Sequence, residues 1–119
     1  MHFALLLAVL VTGKFTIASG HATLQADGKE IVLASKDEYL AAILTDERMQ
    51  SKTMRVEGHW AEKDHSFEVA HLHTVKNGKQ YRIAYYCPIC NIWAFRPGDC
   101  VCCLQPTELR ELGDEEAAQ

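Results

Sequence analysis

The stretch Cys87-Pro-Ile-Cys90-Asn-Ile-Trp-Ala-Phe-Arg-Pro-Gly-Asp-Cys100-Val-Cys-Cys103 decides how this chain is interpreted, because it holds all five cysteines in two Cys-x-x-Cys pairs. In each pair the two-residue gap lets the backbone fold back, so that both sulfurs face one centre. Two such pairs can form a tetrahedral four-sulfur cage around a metal ion. The spacing therefore predicts a metal site with Cys87, Cys90, Cys100 and Cys103 as ligands.

Three kinds of chemistry are consistent with this spacing. The first is a structural zinc site, and the second is a single iron ion in the same cage, which could carry electrons. The third is a set of disulfides, which an oxidising compartment would favour, although five cysteines cannot all pair within one chain. Cys102 is the extra thiol. With Cys100 and Cys103 as ligands it lies beside the predicted metal, as a small structural side chain or a reactive thiolate. The alternative register, Cys100 with Cys102, would make it a ligand and leave Cys103 free.

Residues 86–105 resemble the zinc-ribbon and rubredoxin-like families, whose metal loops carry Cys-Pro-x-Cys knuckles at hairpin turns. Cys87-Pro-Ile-Cys90 matches that form. The resemblance implies a four-cysteine site for zinc or iron and implies nothing about a substrate. The families usually carry glycine directly after the second cysteine of a knuckle, where this chain has Asn91 and Leu104.

Upstream of the cysteines, alternating apolar and polar residues predict an antiparallel β structure. The predicted strands are residues 23–26, 30–33, 53–57, 67–75 and 80–86. Asp27-Gly28 and Asn77-Gly78 are two-residue hairpin signals, because both positions tolerate positive φ. Gly58 could mark a β-bulge. His71 and His73 alternate along their strand, so they should share one polar face of the sheet.

A short helix is predicted over residues 36–44, with Ser35 and Glu38 at capping-box spacing. The fold class expected is therefore mainly β: a small antiparallel barrel or curved sheet with one helix and a C-terminal ribbon-like metal loop. A five-stranded barrel of the OB type belongs to this class, but its helix usually follows the third strand. Here the predicted helix follows the second predicted strand.

The apolar run at residues 3–11 is too short to span a bilayer and has the length of a signal-peptide core. Small residues at Ala18 and Gly20 offer a cleavage site, which predicts an exported, periplasmic or secreted protein. No Lys or Arg precedes the run. The alternative to a signal peptide is a buried first strand that continues through Phe15-Thr-Ile17, in a cytoplasmic protein.

The predicted organisation is a signal peptide at 1–20, a β domain at 21–86, a four-cysteine module at 87–110 and an acidic tail at 111–119.

A formal charge of −4 disfavours nucleic acid as a partner. No haem-attachment, phosphate-loop or serine-elbow motif is present, which favours a non-enzymatic role. The function expected is an exported binding or interaction module with structural zinc, for which a protein partner is conceivable. The alternative is a rubredoxin-like iron carrier or a thiol-redox protein.

Overall fold

The computed structural model describes residues 8–61 and 65–113, and it is dominated by one curved sheet. Its strands are β1 (Val9–Ala18), β2 (His21–Ala26), β3 (Lys29–Ala34), β4 (Thr53–Trp60), β5 (Phe67–Lys76), β6 (Lys79–Cys87), β7 (Ile92–Ala94) and β8 (Glu108–Leu112). Between β3 and β4 lie helix α1 (Glu38–Ile43) and a short 3-10 turn (Glu47–Met49). The prediction of a mainly β fold with one α-helix is confirmed.

The strands follow the order β3-β2-β1-β4-β5-β6-β7, and β8 pairs with β6. Adjacent strands are antiparallel, but two residue pairs join β3 to β5 in parallel, Leu33 with Phe67 and Ala34 with Glu68. The first five strands therefore curve back on themselves, as in a partly open barrel. Helix α1 follows the third strand, which is the position that the OB type requires. The predicted helix follows the second predicted strand because that count takes residues 1–20 as a signal peptide, whereas residues 9–18 form β1.

Strand β1 occupies the segment for which the sequence offered two interpretations. It pairs with β2 on one side and with β4 on the other, so it is an interior strand of the sheet. Phe15 is completely buried in the core. Its backbone N–H donates to the Lys52 carbonyl at 2.9 Å, and its carbonyl accepts from the Ser51 N–H at 2.8 Å. A chain cleaved near Gly20 would lack this strand. Cleavage itself stays a prediction, and residues 1–7 lie outside the described residues.

Two-residue turns set the register of the hairpins. Asp27 and Gly28 have φ values of 50° and 73°, and Asn77 and Gly78 have 51° and 78°, which confirms both predicted hairpins. Gly58 faces the backbone of Glu68, where a Cβ atom would collide with the carbonyl. The register between β4 and β5 shifts at Glu57 and Gly58, so the predicted bulge is also confirmed.

The capping prediction for α1 is wrong in detail. The helix begins at Glu38, and its N-cap is Asp37, whose carboxylate accepts from the N–H groups of Tyr39 and Leu40. Ser35 lies two residues before the cap: its hydroxyl accepts from the Asp37 N–H at 3.2 Å and donates to the Val69 carbonyl of β5 at 2.7 Å. That bond fastens the start of the helix segment to the sheet.

The core lies between the inner face of the curved sheet and the helical segment. Its fully buried side chains stand at alternate positions of the strands, as the period-two pattern requires. They include Phe15, Leu24, Met54, Val56, Phe67 and Val69, which Ile43, Leu44 and Met49 cover from the helical side. Each such side chain contributes about 1.5–3 kcal/mol of hydrophobic free energy.

Candidate metal centre

Strand β6 joins the barrel to a smaller sheet, and the candidate site lies at the end of this strand. Its first residues pair with β5, from Lys79 to Tyr81. Further along, Tyr85 and Tyr86 pair with β7 and also with β8, so β6 is the middle strand of a three-stranded ribbon. Cys87 ends β6, which fixes the first predicted ligand to an element that is itself part of the main sheet.

The first knuckle is a tight turn over residues 87–91. The Asn91 N–H donates to the Cys87 carbonyl at 2.8 Å, and the Cys90 N–H points at the Cys87 sulfur at 3.4 Å. Asn91 closes the turn with a φ of 56°. Asparagine tolerates this left-handed conformation better than most residues, which explains how it can replace the glycine usual in such knuckles.

The second knuckle, residues 100–104, closes with the same backbone hydrogen bond as the first. The Leu104 N–H donates to the Cys100 carbonyl at 2.9 Å, and the Cys102 N–H points at the Cys100 sulfur at 3.4 Å. Leu104 has a φ of 62°, although a leucine gains nothing from that conformation. The Cys100 N–H donates to the Gln105 carbonyl at 2.8 Å, which holds the base of the turn.

The two knuckles bring four sulfurs together, those of Cys87, Cys90, Cys100 and Cys103. No two of these Sγ atoms are more than 4.8 Å apart, and those of Cys87 and Cys103 are 3.5 Å apart. A tetrahedral zinc ion with bonds of about 2.3 Å needs sulfurs roughly 3.8 Å from one another. The donor set therefore fits a single zinc or iron ion. This is the set that the spacing predicted, although its binding of a metal stays a prediction.

Backbone N–H groups make one of these thiols acidic. The N–H groups of Cys103 and Cys102 lower the pKa of Cys100 to about 7, against the effect of burial. A lower pKa favours the thiolate, which is the form that coordinates metals. The arrangement around Cys100 is therefore suited to a ligand.

Cys102 is the exposed member of the cluster. Its side chain is the largest cause of the raised pKa of Cys90, with burial acting in the same direction. Its sulfur is not in the group of four that share one centre. The structure thus places Cys102 beside the cage, as the sequence predicted for the extra thiol.

A polar network that the sequence analysis missed joins the ribbon to the barrel. The Tyr85 hydroxyl donates to Asp46 at 2.9 Å, and Arg48 pairs with the same carboxylate at 3.0 Å. Arg48 also donates to the Thr107 carbonyl at 2.9 Å, next to β8. Burial would raise the pKa of Asp46, but the bonds from Arg48 and Tyr85 outweigh it and lower that pKa. Asp46 and Arg48 lie in a polar run, where nothing in the sequence marks them as partners of the buried Tyr85.

Glu111 forms a second connection of the same kind. The sequence analysis assigned this residue to the acidic tail, whereas it lies in β8 with its side chain mostly buried. Its carboxylate accepts from Lys52 at 2.7 Å and from the Thr74 hydroxyl at 2.6 Å, and Lys76 is 3.1 Å away. Residues 114–119 of the predicted tail lie outside the described residues.

Large apolar side chains surround the cysteines on the surface. Ile89, Val101 and Leu104, at the tips of the knuckles, are 69%, 87% and 71% exposed. Trp93 is also exposed, although its ring packs on Tyr86 with the centroids 4.7 Å apart. Phe95, which follows β7, is exposed as well.

His71 and His73 share the outer face of the sheet, as their alternation predicted. They stand opposite Glu57 and Arg55 of β4. In the described part of the chain, the cysteines are the one group of three or more potential metal-ligating side chains that meet at one centre. The histidines are therefore not part of the candidate metal centre.

Comparisons with protein-family models, with curated proteins and with solved structures find no match for this chain. Within residues 8–61 and 65–113, no helix has the length and apolar character needed to cross a bilayer.

Proposed function

We propose that this protein is a small binding module whose ribbon is held in shape by a structural zinc ion. The observation that carries the proposal is the convergence of four sulfurs from two knuckles of matching geometry. Four thiolates complete a tetrahedral shell and leave no position open for a substrate, which is the pattern of structural sites. Bound zinc would cross-link the end of β6 to the loop before β8.

Metal analysis of the purified protein tests this proposal. We expect one zinc per chain by mass spectrometry of the metal content, and no absorption in the visible. Removal of zinc by a chelator should lower the melting temperature markedly, because an unfolded chain has no preformed cage to bind the metal. Visible absorption from iron in four sulfurs would instead support the electron-carrier alternative. Absence of metal and an unchanged melting temperature would refute a structural metal.

Two serine variants provide matched controls on neighbouring residues. Cys103→Ser should lose the metal, because its sulfur belongs to the group of four. Cys102→Ser should keep both metal and fold, because its sulfur lies outside that group and its side chain is exposed. Metal that is retained in Cys103→Ser and lost in Cys102→Ser would reverse the assignment of the second knuckle.

The binding role rests on the exposed tips of the knuckles. Ile89, Val101 and Leu104 expose large apolar side chains around one cysteine cluster, and exposed apolar groups that lie together mark interaction sites. The proposed partner is therefore a protein that covers this end of the ribbon. The structural metal would keep these side chains on one rigid surface.

Site-specific photo-crosslinking in the native cell tests this role. A photoreactive phenylalanine analogue at Val101 should give a discrete cross-linked product. The same analogue at Lys29, which is exposed at the tip of the β2–β3 hairpin, should not. The product should also disappear when Cys87→Ser removes the metal. Equal products at both positions, or none at Val101, would contradict the proposed surface.

A further inference from the structure

A cleft separates helix α1 from the ribbon, and it has a volume of about 410 Å³. This volume lies in the range of about 300–1,000 Å³ that is typical of small-molecule sites. Its floor is apolar and consists of Leu40, Ile43, Leu72 and Ile83. The cleft is distinct from the cysteine cluster, and neither the metal site nor the knuckle tips account for it.

The cleft exists because one edge of β5 lacks a neighbouring strand along part of its length. On that edge, β3 pairs only with Phe67 and Glu68, and β6 pairs only from Thr74 onward. Among the described strands, none pairs with this edge between those two regions. Helix α1 packs against β5 there, and β6 turns away to join β8. The opening is therefore a consequence of the topology.

Two aromatic side chains form the walls of the cleft. Tyr39 stands on α1 and is 51% exposed, and Phe95 follows β7 and is 57% exposed. The Arg96 guanidinium lies over the Tyr39 ring at 5.4 Å, so the ribbon and the helix touch across the opening. Two flat, accessible rings above an apolar floor suit a ligand with a flat apolar body.

A cation without a partner among the described residues gives the cleft a place for an anion. Arg82 lines it, and no described residue forms a hydrogen bond or an ion pair with the Arg82 guanidinium. Asp37 is the one acidic side chain among the lining residues, and its carboxylate already accepts two N–H groups as the cap of α1. His71 adds another polar group at the rim. A carboxylate is the natural partner of such a guanidinium, because the two groups can form paired hydrogen bonds.

We propose that the cleft between Tyr39 and Phe95 binds a small amphipathic anion, with its flat apolar part between the two rings and its carboxylate on Arg82. This inference rests on the proposed structural zinc only through Phe95, which the ribbon holds in place. It adds a small-molecule site to a chain whose proposed partner surface lies at the knuckle tips.

The experiment is a titration of the full, metal-loaded and isotope-labelled chain with 2-naphthoate, a flat aromatic carboxylate, followed by NMR. Saturable shifts are expected for α1, for residues 70–73 and for Ile83 and Phe95. Arg82→Gln should weaken binding by at least about fivefold, because a hydrogen bond to a charged group is lost. Phe95→Ala should weaken it as well. Lys79→Gln, which removes a cation outside the cleft, should change the affinity by less than about twofold.

The neutral analogue 2-naphthamide separates charge recognition from apolar contact. It should bind more weakly than the acid, and Arg82→Gln should leave its affinity unchanged. Shifts outside the cleft, or an equal effect of Arg82→Gln on both ligands, would overturn the proposal. Zinc content is measured on every sample. A zinc-free protein that still binds 2-naphthoate through Arg82 would refute the structural zinc while supporting the cleft. A zinc-loaded protein that does not bind 2-naphthoate would refute the proposed cleft site and leave the structural zinc supported.

Discussion

Leu104 shows how the knuckles constrain a single residue. It closes the second knuckle in a left-handed conformation, which costs a residue with a Cβ atom about 1–2 kcal/mol. Its side chain is largely exposed, so favourable packing offsets little of this cost. The conformation is imposed by the turn, because the Leu104 N–H must reach the Cys100 carbonyl.

Leu104→Gly should therefore raise the free energy of unfolding of the metal-bound protein by about 0.5 kcal/mol. Relief of the strained φ exceeds the entropy that a glycine loses on folding, about 0.5–1 kcal/mol. Val101→Gly in the same knuckle is the control and should lower the stability, since φ of Val101 is not positive. Chemical denaturation measures both. A similar loss of stability in the two variants would show that the turn does not strain Leu104.

Glu111 gives a pH-dependent prediction. Burial tends to raise its pKa, but hydrogen bonds from Lys52, Thr74 and Lys76 outweigh this and lower the pKa to about 2. In the unfolded chain the pKa is near 4.5. The stabilisation is therefore fully present above pH 4.5 and is lost as the pH falls toward 2, because only the unfolded chain takes up the proton in that interval.

Glu111→Gln should lower the free energy of unfolding by on the order of 2 kcal/mol at pH 7. The difference from the natural chain should shrink below pH 4.5 and vanish near pH 2. Glu108→Gln is the control in the same strand, because Glu108 forms an exposed pair with Arg110 and should matter little. Urea denaturation at several pH values measures these differences. A pH-independent effect of Glu111→Gln would mean that the ion pairs are not its cause.

At the scale of elements, β1 is the middle strand of the five that form the partly open barrel. It separates β2 from β4, so its removal would expose two strand edges as well as the pocket of Phe15. A chain beginning at His21 should therefore lack the dispersed NMR spectrum of a folded β protein. A chain beginning at Ala8, which retains β1, is the control and should fold. If the shorter chain folded, and native protein began near residues 20–23, the cleavage prediction would be supported instead.

The hairpins, the helix and the cysteine cluster could be predicted because each has a local cause. Asn77-Gly78 sets its own turn, and Cys-x-x-Cys sets its own spacing. The short strands β7 and β8 could not be predicted, because they depend on pairing with β6 rather than on a pattern of their own. The hydrogen bond of Ser35 to the Val69 carbonyl is another example, since Val69 lies 34 residues away along the chain.

On the scale of the whole molecule, β6 belongs both to the barrel sheet and to the ribbon. Two sets of contacts connect the two parts, namely the Tyr85–Asp46–Arg48 network and the ion pairs of Glu111. The ribbon is therefore not an independent appendage. Loss of a metal bound in the ribbon should therefore also lower the stability of the barrel.

The two tryptophans allow this coupling to be measured. Trp60 lies in the barrel, with its ring edge-on to Phe67 at 5.3 Å, and Trp93 lies in the ribbon. In Trp93→Phe the remaining tryptophan, Trp60, reports on the barrel. In Trp60→Phe the remaining tryptophan, Trp93, reports on the ribbon. We expect the fluorescence of both variants to show one coincident unfolding transition, shifted equally by a chelator. A ribbon signal that changes on chelation while the barrel signal stays constant would show that the two parts unfold separately.

If the ribbon holds zinc as proposed, the shared strand would also link the cellular lifetime of the protein to the supply of zinc. When free zinc exceeds its dissociation constant, each tenfold fall in its concentration lowers the free energy of unfolding by about 1.4 kcal/mol. Because β6 carries that loss into the barrel, the fraction of completely unfolded chains rises about tenfold. A protease that degrades only unfolded chains would then remove the protein about ten times faster, so its abundance would follow zinc without any change in its synthesis.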